Sequence, residues 1–166
     1  PNTGGMGAYS PAPIINKKLE KKIINKIVKP TLQGLKAKKN PYTGFLYVGL
    51  MIRNNEPYLI EYNVRMGDPE CQVILPRLKT DLVKIIMSSV ENKLNEIKIQ
   101  WKKEKSMTIV LCSKGYPGNY KKDKYIKNLG NINLSKNEFI YHAGTKLKNG
   151  KLVSDGGRVL NITSIG

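Results

Sequence analysis

The sequence predicts an α+β protein, in which helices accompany an antiparallel strand pair in the first part and strands dominate the rest. Three observations predict this class. Apolar residues recur at helical spacing across 14–28, and an apolar run at 45–52 is followed by an alternating run at 57–65. The pair Asn149–Gly150 lies between two strand-like segments, which is typical of a tight β-hairpin.

The first helix is predicted to follow a glycine-rich loop at residues 1–13. Ser10 is the expected N-cap, a proline just after it suits the first turn, and the helix is expected to run from Ile14 to about Val28. Pro30 is expected to interrupt this helix, so a second short helix is predicted beyond it.

The middle of the sequence is predicted to hold a strand pair and two helices. Segment 45–52 is apolar on both faces and is predicted to be a buried strand, with 57–65 as its antiparallel partner. A short helix is predicted after the turn at Asp68, and a longer one from about 80 to 94.

A change in composition near residues 95–97 predicts a boundary. We therefore expect two parts, 1–95 and 96–166, of which the second is small and mostly β-structure. Its strands are predicted at 107–113, on both sides of Asn149–Gly150, and at the segment that begins with Arg158.

The charge balance raises the possibility of a nucleic-acid partner. The chain has 29 Lys and Arg against 12 Asp and Glu, which gives a net charge of +17. The lysines are scattered and form no single tract, and Lys, Asn and Ile are abundant together, which indicates a compositional bias. A solvated lysine surface is therefore favoured, and a basic nucleic-acid-binding module is kept as the alternative.

Weaker signals in the sequence bear on the cellular compartment of the protein and on whether the chain is part of a longer one. No apolar run approaches the roughly 20 residues that a membrane span needs, so no membrane partner is expected. Cys71 and Cys112 match no metal or redox spacing and indicate free thiols in a reducing compartment, so a cytoplasmic location is predicted. The first residues resemble no signal peptide and lack an initiator Met, so we expect a piece of a longer protein.

The segment Ile60–Glu70 carries the densest set of candidate functional residues. Side chains alternate along a strand, so Glu61, Asn63 and Arg65 are predicted to share one face, each about 6–7 Å from the next. The carboxylate and the amide supply the oxygen ligands that Mg²⁺ takes together with substrate phosphates and water. The guanidinium could hold phosphate oxygens in a bidentate fork.

A plainer interpretation of the same segment stays open on alternation alone. Glu61 and Arg65 could form an ordinary ion pair on a solvated strand face. Asp68 is expected to cap the following helix whatever its other role, with Pro69 at its first position and Glu70 in its first turn. The apolar residues of the strand, such as Ile60 and Val64, are expected to face a core.

Six motifs, in one order along nearly the whole chain, resemble those of the glycinamide ribonucleotide synthetases. These enzymes are also called phosphoribosylamine–glycine ligases and belong to the ATP-grasp superfamily. The motifs are NTGGMGAYSPAP, LYVGLMI, IEYNVRMGDPECQVILPRL, KGYPGNY, HAGTK and DGGRVLN. The resemblance implies an ATP-grasp lobe, built of an antiparallel sheet with helices, at 1–95, and part of a small, mostly-β C-terminal domain at 96–166.

The resemblance also implies a reaction, its substrates and its cofactor. In that family, ATP phosphorylates the carboxylate of glycine, and the amine of 5-phosphoribosylamine then displaces the phosphate to form an amide. ATP is thus a co-substrate, Mg²⁺ or Mn²⁺ is the expected cofactor, and the remainder of its own chain is an expected partner. Because the nucleotide is held between two lobes, the 166 residues are not expected to be active by themselves.

Residue roles follow by matching the motifs. Glu61 and Asn63 match the metal ligands of the family, and Arg65 matches an Arg near the transferred phosphate, for which a catalytic role is expected. Substrate-binding roles are expected for Asp68 and for the glycine-rich loop, which contributes Gly4, Gly5, Met6 and Gly7.

Some residues of the matching motifs, and some features of the match, favour other interpretations. His142 is predicted to be structural, and Arg158 to be a structural or surface residue. The tyrosines of TGGMGAY and YPGNY are predicted to serve packing and turns. Segment 45–52 carries no acid where many ATP-grasp enzymes place a metal ligand, so Glu61 is expected to supply most of the protein ligation. Another purine-pathway ATP-grasp ligase with a different acid or amine stays open as an alternative.

Overall fold

The computed structural model describes residues 3–166, whose contacts form two compact units with interleaved sequences. We call residues 3–10, 68–77 and 102–166 the sheet unit, and residues 11–67 and 78–101 the hairpin unit. The predicted division near residue 95 concerns domains of the family and stays a prediction.

The sheet unit is built on a four-stranded antiparallel sheet of order β1-β4-β8-β5. The strands are β1 (Gly7–Ser10), β4 (Ser106–Cys112), β5 (Glu138–His142) and β8 (Arg158–Ile165). A two-stranded hairpin, β6 (Thr145–Lys148) with β7 (Lys151–Ser154), and the short helix α3 (Cys71–Ile74) complete it, with 3₁₀ turns at Leu75–Arg77 and Leu129–Asn131.

The core of the sheet unit contains both apolar and hydroxyl side chains. Its buried apolar residues are Val73, Val110, Val153, Val159, Leu160 and Ile165. Thr108 and Thr163 are buried on neighbouring strands, and the Thr163 hydroxyl donates to Thr108 Oγ1 at 2.7 Å. The paired hydroxyls satisfy each other in part, which lowers the cost of burying them.

The hairpin unit joins helices to one antiparallel strand pair. Its helices are α1 (Lys17–Ile23), α2 (Lys29–Ala37) and α4 (Leu82–Val90), and its strands are β2 (Tyr47–Arg53) and β3 (Glu56–Asn63). A π-helical turn, Ile24–Val28, connects α1 to α2, and a 3₁₀ turn lies at Leu94–Glu96. Leu19 on α1 is fully buried.

The N-terminal loop prediction was wrong for its second half, because Gly7–Ser10 forms β1. Gly7 pairs with Ile109 of β4. A Cβ on Gly7 would lie 2.9 Å from the carbonyl oxygen of Thr108, so the absence of a side chain allows this close pairing.

The predicted start of the first helix was also wrong. The N-cap is Asn16, whose Oδ1 accepts a hydrogen bond from the Leu19 amide at 2.9 Å. Pro30 does not end the helical segment, since the chain runs without a break from α1 through the π-helical turn Ile24–Val28 into α2, whose second residue is Pro30.

The predicted longer helix and the predicted hairpin are both present. Helix α4 begins at Leu82, where Asp81 Oδ1 accepts from the Lys84 amide at 2.9 Å, and it ends at Val90, short of the predicted end near residue 94. The β6–β7 hairpin turns at Asn149 and Gly150, whose φ angles of 50° and 71° are those of a turn that matches the strand twist.

No helix within residues 3–166 is both long enough and apolar enough to cross a membrane.

Candidate functional site

The three polar side chains predicted to lie together do so at the end of β3. Asn63 Nδ2 donates to Glu61 Oε1 at 3.1 Å, and Arg65 Nη2 donates to Asn63 Oδ1 at 3.4 Å. The hydrogen bonds therefore link a carboxylate, an amide and a guanidinium in one row. Because these contacts are partly exposed, a ligand can reach the row.

Arg65 reaches this row by a different route from the predicted one. The strand ends at Asn63, so the pleat of β3 does not orient Arg65. Its Nη1 donates to the carbonyl oxygen of Met66 at 2.9 Å, and this contact fixes the guanidinium at the bend that follows the strand.

Gly49 makes room for the Glu61 side chain. It lies directly opposite Glu61 in the β2–β3 ladder, and a Cβ on Gly49 would come within 3.0 Å of Glu61 Cγ. The Glu61 side chain consequently lies across the bare backbone of the neighbouring strand. The sequence signal was a glycine inside an otherwise apolar strand, which marks close approach by another group.

The apolar face predicted for β3 is not buried within the described residues. The ladder shifts register between Gly49 and Leu50, which leaves Ile60 as the extra residue of a β-bulge. Ile60 is 62% exposed, and Val64, beyond the strand end, is 76% exposed. Tyr62 is partly buried, and its hydroxyl lies 2.6 Å from Thr31 Oγ1 of α2.

The donor set fits a magnesium ion only in part. Glu61 and Asn63 offer hard oxygen ligands, and Mg²⁺ commonly takes one or two such side chains and completes its shell with phosphate oxygens and water. Among residues 3–166, no three His, Cys, Asp or Glu side chains converge as a metal site. The chain therefore supplies two candidate ligands, and other groups would have to supply the rest.

The second group of predicted residues lies in the sheet unit. Asp68 and Gly5 are joined through Arg158, whose Nη1 donates to Gly5 O at 3.1 Å and whose Nη2 donates to Asp68 Oδ2 at 2.9 Å. The Gly4 amide donates to the Tyr116 hydroxyl at 3.0 Å.

Met6 and Gly7 continue from this loop into the sheet. The carbonyl oxygen of Met6 accepts from the Val110 amide at 3.0 Å, and Gly7 begins β1. The expected substrate-binding residues thus span a loop and a strand start. The structure brings this loop together with the Asp68 turn.

Asp68 does not cap α3, so the capping interpretation of this residue was wrong. The helix begins at Cys71, three residues on. The Asp68 carboxylate instead accepts from Gln72 Nε2 through Oδ1, at 3.0 Å, and from Arg158 through Oδ2. An ion pair with a residue 90 positions away overrides the local preference.

Near this turn, the pKa of the Cys71 thiol is shifted by its surroundings. Burial raises the pKa of the Cys71 thiol, and the negative charges of Asp68 and Glu70 raise it further. A thiol with a raised pKa is a weak nucleophile at neutral pH, so Cys71 is suited to packing rather than to chemistry.

His142, predicted to be structural, has its ring Nδ1 2.9 Å from the Thr145 hydroxyl. A cavity of about 750 Å³ in the sheet unit, lined by residues such as Leu111, Cys112 and Lys124, contains none of the candidate site residues. The candidate residues therefore form two groups: Glu61, Asn63 and Arg65 in the hairpin unit, and Gly4 to Gly7 with Asp68 in the sheet unit. Their roles stay predictions.

Two protein-family models match the chain, one after the other along its sequence. Residues 1–71 match the ATP-grasp (A) domain of phosphoribosylglycinamide synthetase, and residues 106–166 match the C domain of the same enzyme. The two matches together cover most of the chain.

Individual relatives agree with the family matches. The chain is 47% identical over 166 residues to the phosphoribosylamine–glycine ligase of Agrobacterium fabrum, which covers 100% of this chain and 39% of that protein. The ligase of Caldanaerobacter subterraneus is likewise 47% identical over 100% of the chain and 39% of its own length. The chain thus spans about two fifths of the length of these curated relatives.

Solved structures confirm the predicted α+β, ATP-grasp fold class. The phosphoribosylamine–glycine ligase of Thermotoga maritima superimposes with a TM-score of 0.82 at 36% identity, over 100% of this chain and 40% of that one. A biotin carboxylase of Campylobacter jejuni superimposes with a TM-score of 0.57 at 14% identity, over 97% of this chain and 34% of that one, which shows a shared fold alone.

The order of the motifs, the two domain matches and the superposition agree, and the chain belongs to the phosphoribosylglycinamide synthetase family.

Proposed function

We propose that the protein containing this chain is an ATP-dependent ligase of purine biosynthesis. It joins glycine to 5-phosphoribosylamine and yields glycinamide ribonucleotide, ADP and phosphate. The observation that carries this proposal is the match of both domains of one enzyme, in order, to a chain whose matched residues include the Glu61–Asn63–Arg65 row.

The chemistry of the row suits the first half of this reaction. A glycine carboxylate is a poor electrophile, so one of its oxygens attacks the γ-phosphorus of ATP, the bond to the β-phosphate oxygen breaks, and ADP leaves. Arg65 presents a planar cation whose N–H groups can hold the oxygens of the transferring phosphoryl group.

Glu61 and Asn63 are proposed to hold Mg²⁺ or Mn²⁺ with the nucleotide. When bound, the metal neutralises phosphate charge and orients the triphosphate. The Asn63 amide donates to Glu61 and accepts from Arg65, so it spaces the anionic and cationic ends of the row. This spacing keeps the Arg65 guanidinium from pairing directly with the Glu61 carboxylate.

In the second half, the amine of 5-phosphoribosylamine attacks the acyl carbon of glycyl phosphate. The carbon–nitrogen bond forms, the carbon–oxygen bond to phosphate breaks, and the nitrogen loses a proton. The glycine-rich loop and Asp68 are proposed to lie against one of the two non-nucleotide substrates. Water must be kept from the acyl phosphate until the amine arrives.

A cytoplasmic location is part of the proposal. Two free cysteines, Cys71 and Cys112, are consistent with a reducing compartment. The proposed partners are ATP, glycine, 5-phosphoribosylamine and the rest of the same protein.

The test replaces Glu61 by Gln in the full-length protein. Removing the negative oxygen is expected to lower Mg²⁺-dependent ligation on the order of 100-fold and to raise the Mg²⁺ concentration that gives half the maximal rate. The exposed residue Glu96 supplies a matched control, since Glu96→Gln removes the same charge from a 3₁₀ turn and is expected to leave the rate unchanged. Ligation by Glu61→Gln at the rate of the unmodified protein would refute the assignment of Glu61.

Substrate identity is tested separately by mass spectrometry of the products. Glycine is expected to be ligated in preference to other small amino and carboxylic acids. A faster reaction with another acid would favour a different purine-pathway ligase of the same fold.

A further inference from the structure

Arg158 connects two segments that are far apart in the sequence. Its Nη1 donates to the carbonyl oxygens of Gly5, at 3.1 Å, and Asp68, at 2.8 Å. Its Nη2 donates to Asp68 Oδ2 at 2.9 Å, and the side chain is only 24% exposed. One guanidinium therefore satisfies three acceptors, two of them on the main chain.

Tyr116 holds the same loop from a second side. Its hydroxyl accepts from the Gly4 amide at 3.0 Å. Its ring packs on Gly157, where a Cβ would fall 2.2 Å from a ring carbon. The loop that carries Tyr116 is tied down in turn, because Ser113 Oγ donates to the carbonyl oxygen of Gly156 at 2.8 Å.

The glycines of the loop serve close packing here. A Cβ on Gly4 would lie 2.7 Å from Arg158 Cζ, and a Cβ on Gly5 would lie 2.3 Å from Pro69 Cδ. Such distances leave no room for a side chain without movement of the neighbours. The loop is thus packed directly against the Asp68–Pro69 turn and the Arg158 side chain.

We propose that Arg158 and Tyr116 are positioning residues that hold the glycine-rich loop against the Asp68–Pro69 turn in its binding conformation. We call this pair the latch. The Asp68 carboxylate then also anchors Arg158 through Oδ2, beside the substrate contact proposed for this residue. The inference rests on the proposed function for one point, namely that the loop faces a non-nucleotide substrate.

The latch matters for binding because a loop that populates several conformations binds more weakly. The apparent affinity falls by the fraction of molecules in the competent conformation. The latch is therefore expected to act on the KM of the substrate that meets the loop, and to leave the nucleotide site, whose proposed residues are Glu61, Asn63 and Arg65, untouched.

The kinetic experiment compares Arg158→Met and Arg158→Lys in the full-length protein. Arg158→Met is expected to raise the KM for glycine or for 5-phosphoribosylamine about 10-fold or more, with kcat lowered less than about 3-fold and the KM for ATP unchanged. Arg158→Lys keeps the charge but lacks the planar fork, so it is expected to recover only part of the loss.

Arg53 supplies the matched control, since Arg53→Met makes the same change at an exposed position at the end of β2. It is expected to change none of the three KM values. An unchanged KM for both non-nucleotide substrates in Arg158→Met, or an equal rise for ATP, would overturn the proposal.

Hydrogen exchange tests the latch without any reference to catalysis. In Arg158→Met, the amides of residues 3–10 and 66–72 are expected to exchange about 10-fold faster or more, while the β2–β3 hairpin keeps its protection. Tyr116→Phe removes only the acceptor for Gly4 and is expected to speed exchange in residues 3–10 alone.

The two readouts separate the possible failures. If exchange rises as expected but the protein does not ligate glycine to 5-phosphoribosylamine, the proposed function is wrong and the latch stands. If exchange in residues 3–10 is unchanged in both Arg158→Met and Tyr116→Phe, the latch is wrong whatever the activity.

Discussion

At the scale of single residues, the site depends on one position without a side chain. Gly49 sits in a strand whose neighbours favour β-structure, where glycine itself weakens the strand. The position opposite Glu61 explains this choice, since a side chain there would contact Glu61 Cγ. Gly49 therefore weakens the strand locally but leaves room for the Glu61 carboxylate.

Replacing Gly49 by Val is therefore expected to separate stability from activity. The valine suits the strand but displaces the Glu61 side chain, so Mg²⁺-dependent ligation is expected to fall about 10-fold or more. The midpoint of thermal unfolding is expected to change by only a few degrees. Wild-type activity in Gly49→Val would show that the Glu61 side chain does not need this space.

Gly34 in α2 provides the control for this substitution. A Cβ there meets nothing within 4 Å, so Gly34→Ala is expected to leave ligation unchanged. It is expected to stabilise the protein by about 0.5–1 kcal/mol, because alanine favours a helix interior more than glycine does.

Sequence alternation predicted part of the residue-scale arrangement. Glu61 and Asn63 are two apart on a strand, so period-two alternation places them on one side. The placement of Arg65 follows from its hydrogen bonds beyond the strand end, which alternation does not describe. The role of Asp68 as a partner of Arg158 could not be predicted, since nothing local indicates a contact 90 residues away.

At the scale of elements, one carboxylate ties the β2–β3 hairpin to the first helical segment. Glu56, at the start of β3, accepts from Lys22 of α1 through Oε1, and its Oε2 accepts from Lys26 at 3.0 Å. Hydrogen bonds donated by Lys22 and, to a smaller extent, by Lys26 hold the pKa of the Glu56 carboxyl below its ordinary value of 4.5. The carboxylate form is thus favoured by folding.

This shift predicts an acid-sensitive contact. A lowered pKa in the folded state adds stability above the ordinary pKa, and this stability is lost as the pH falls through the lowered value. In Glu56→Gln, the part of the acid-induced loss below pH 4.5 that belongs to Glu56 is expected to disappear. Urea unfolding of both proteins between about pH 3 and pH 7 measures this.

One outcome would contradict the proposed contribution of Glu56 to the pH dependence of stability. If Glu56→Gln shows the same loss of stability on acidification as the unmodified protein, the pair with Lys22 and Lys26 contributes nothing to pH dependence. The contribution is expected to be small, because the pair lies at the surface.

The order of elements was largely predictable, and their ends were less so. The β2–β3 and β6–β7 hairpins were predicted from alternation and from Asn149–Gly150, because both signals are local. Strand β1 was missed because Gly7–Ser10 gains its ladder from β4, about 100 residues further along. The prolines after Ser10 predict a helix cap there, whereas Asn16 accepts the capping hydrogen bond from the Leu19 amide.

At the scale of the whole molecule, the strong positive charge needs a physical interpretation. The net charge is +17, yet several lysines pair with acids at the surface. Lys146, for example, lies 3.1 Å from both Asp123 and Asp155, and the hydrogen bonds that it donates to these carboxylates raise the pKa of Lys146. These pairs disperse the charge over a solvated surface.

The nucleic-acid alternative is therefore expected to fail a salt titration. Filter binding of duplex DNA to the full-length protein is expected to show weak, non-specific affinity at about 50 mM salt that is lost by about 200 mM salt. Tight binding that persists at the higher salt concentration would support a nucleic-acid function. The ligase proposal requires none.

The fold class was predictable at this scale because both halves carry local patterns and because six motifs occur in the order of one family. The interleaving of the two units was not predictable, since residues 3–10 join the sheet unit by pairing with β4, and the segment 68–77 contacts the distant residue Arg158 through Asp68. Composition near residue 95 carries no information about such contacts.

The latch has a consequence for the order in which the protein is made. Arg158 follows Gly5 by 153 residues, so a ribosome must synthesise almost all of this stretch before the guanidinium is available. Until then the loop lacks the side chain that joins it to the Asp68–Pro69 turn, and closing so long a segment is slow. The nascent chain consequently completes the hairpin of β2 and β3 well before the glycine-rich loop takes its final form.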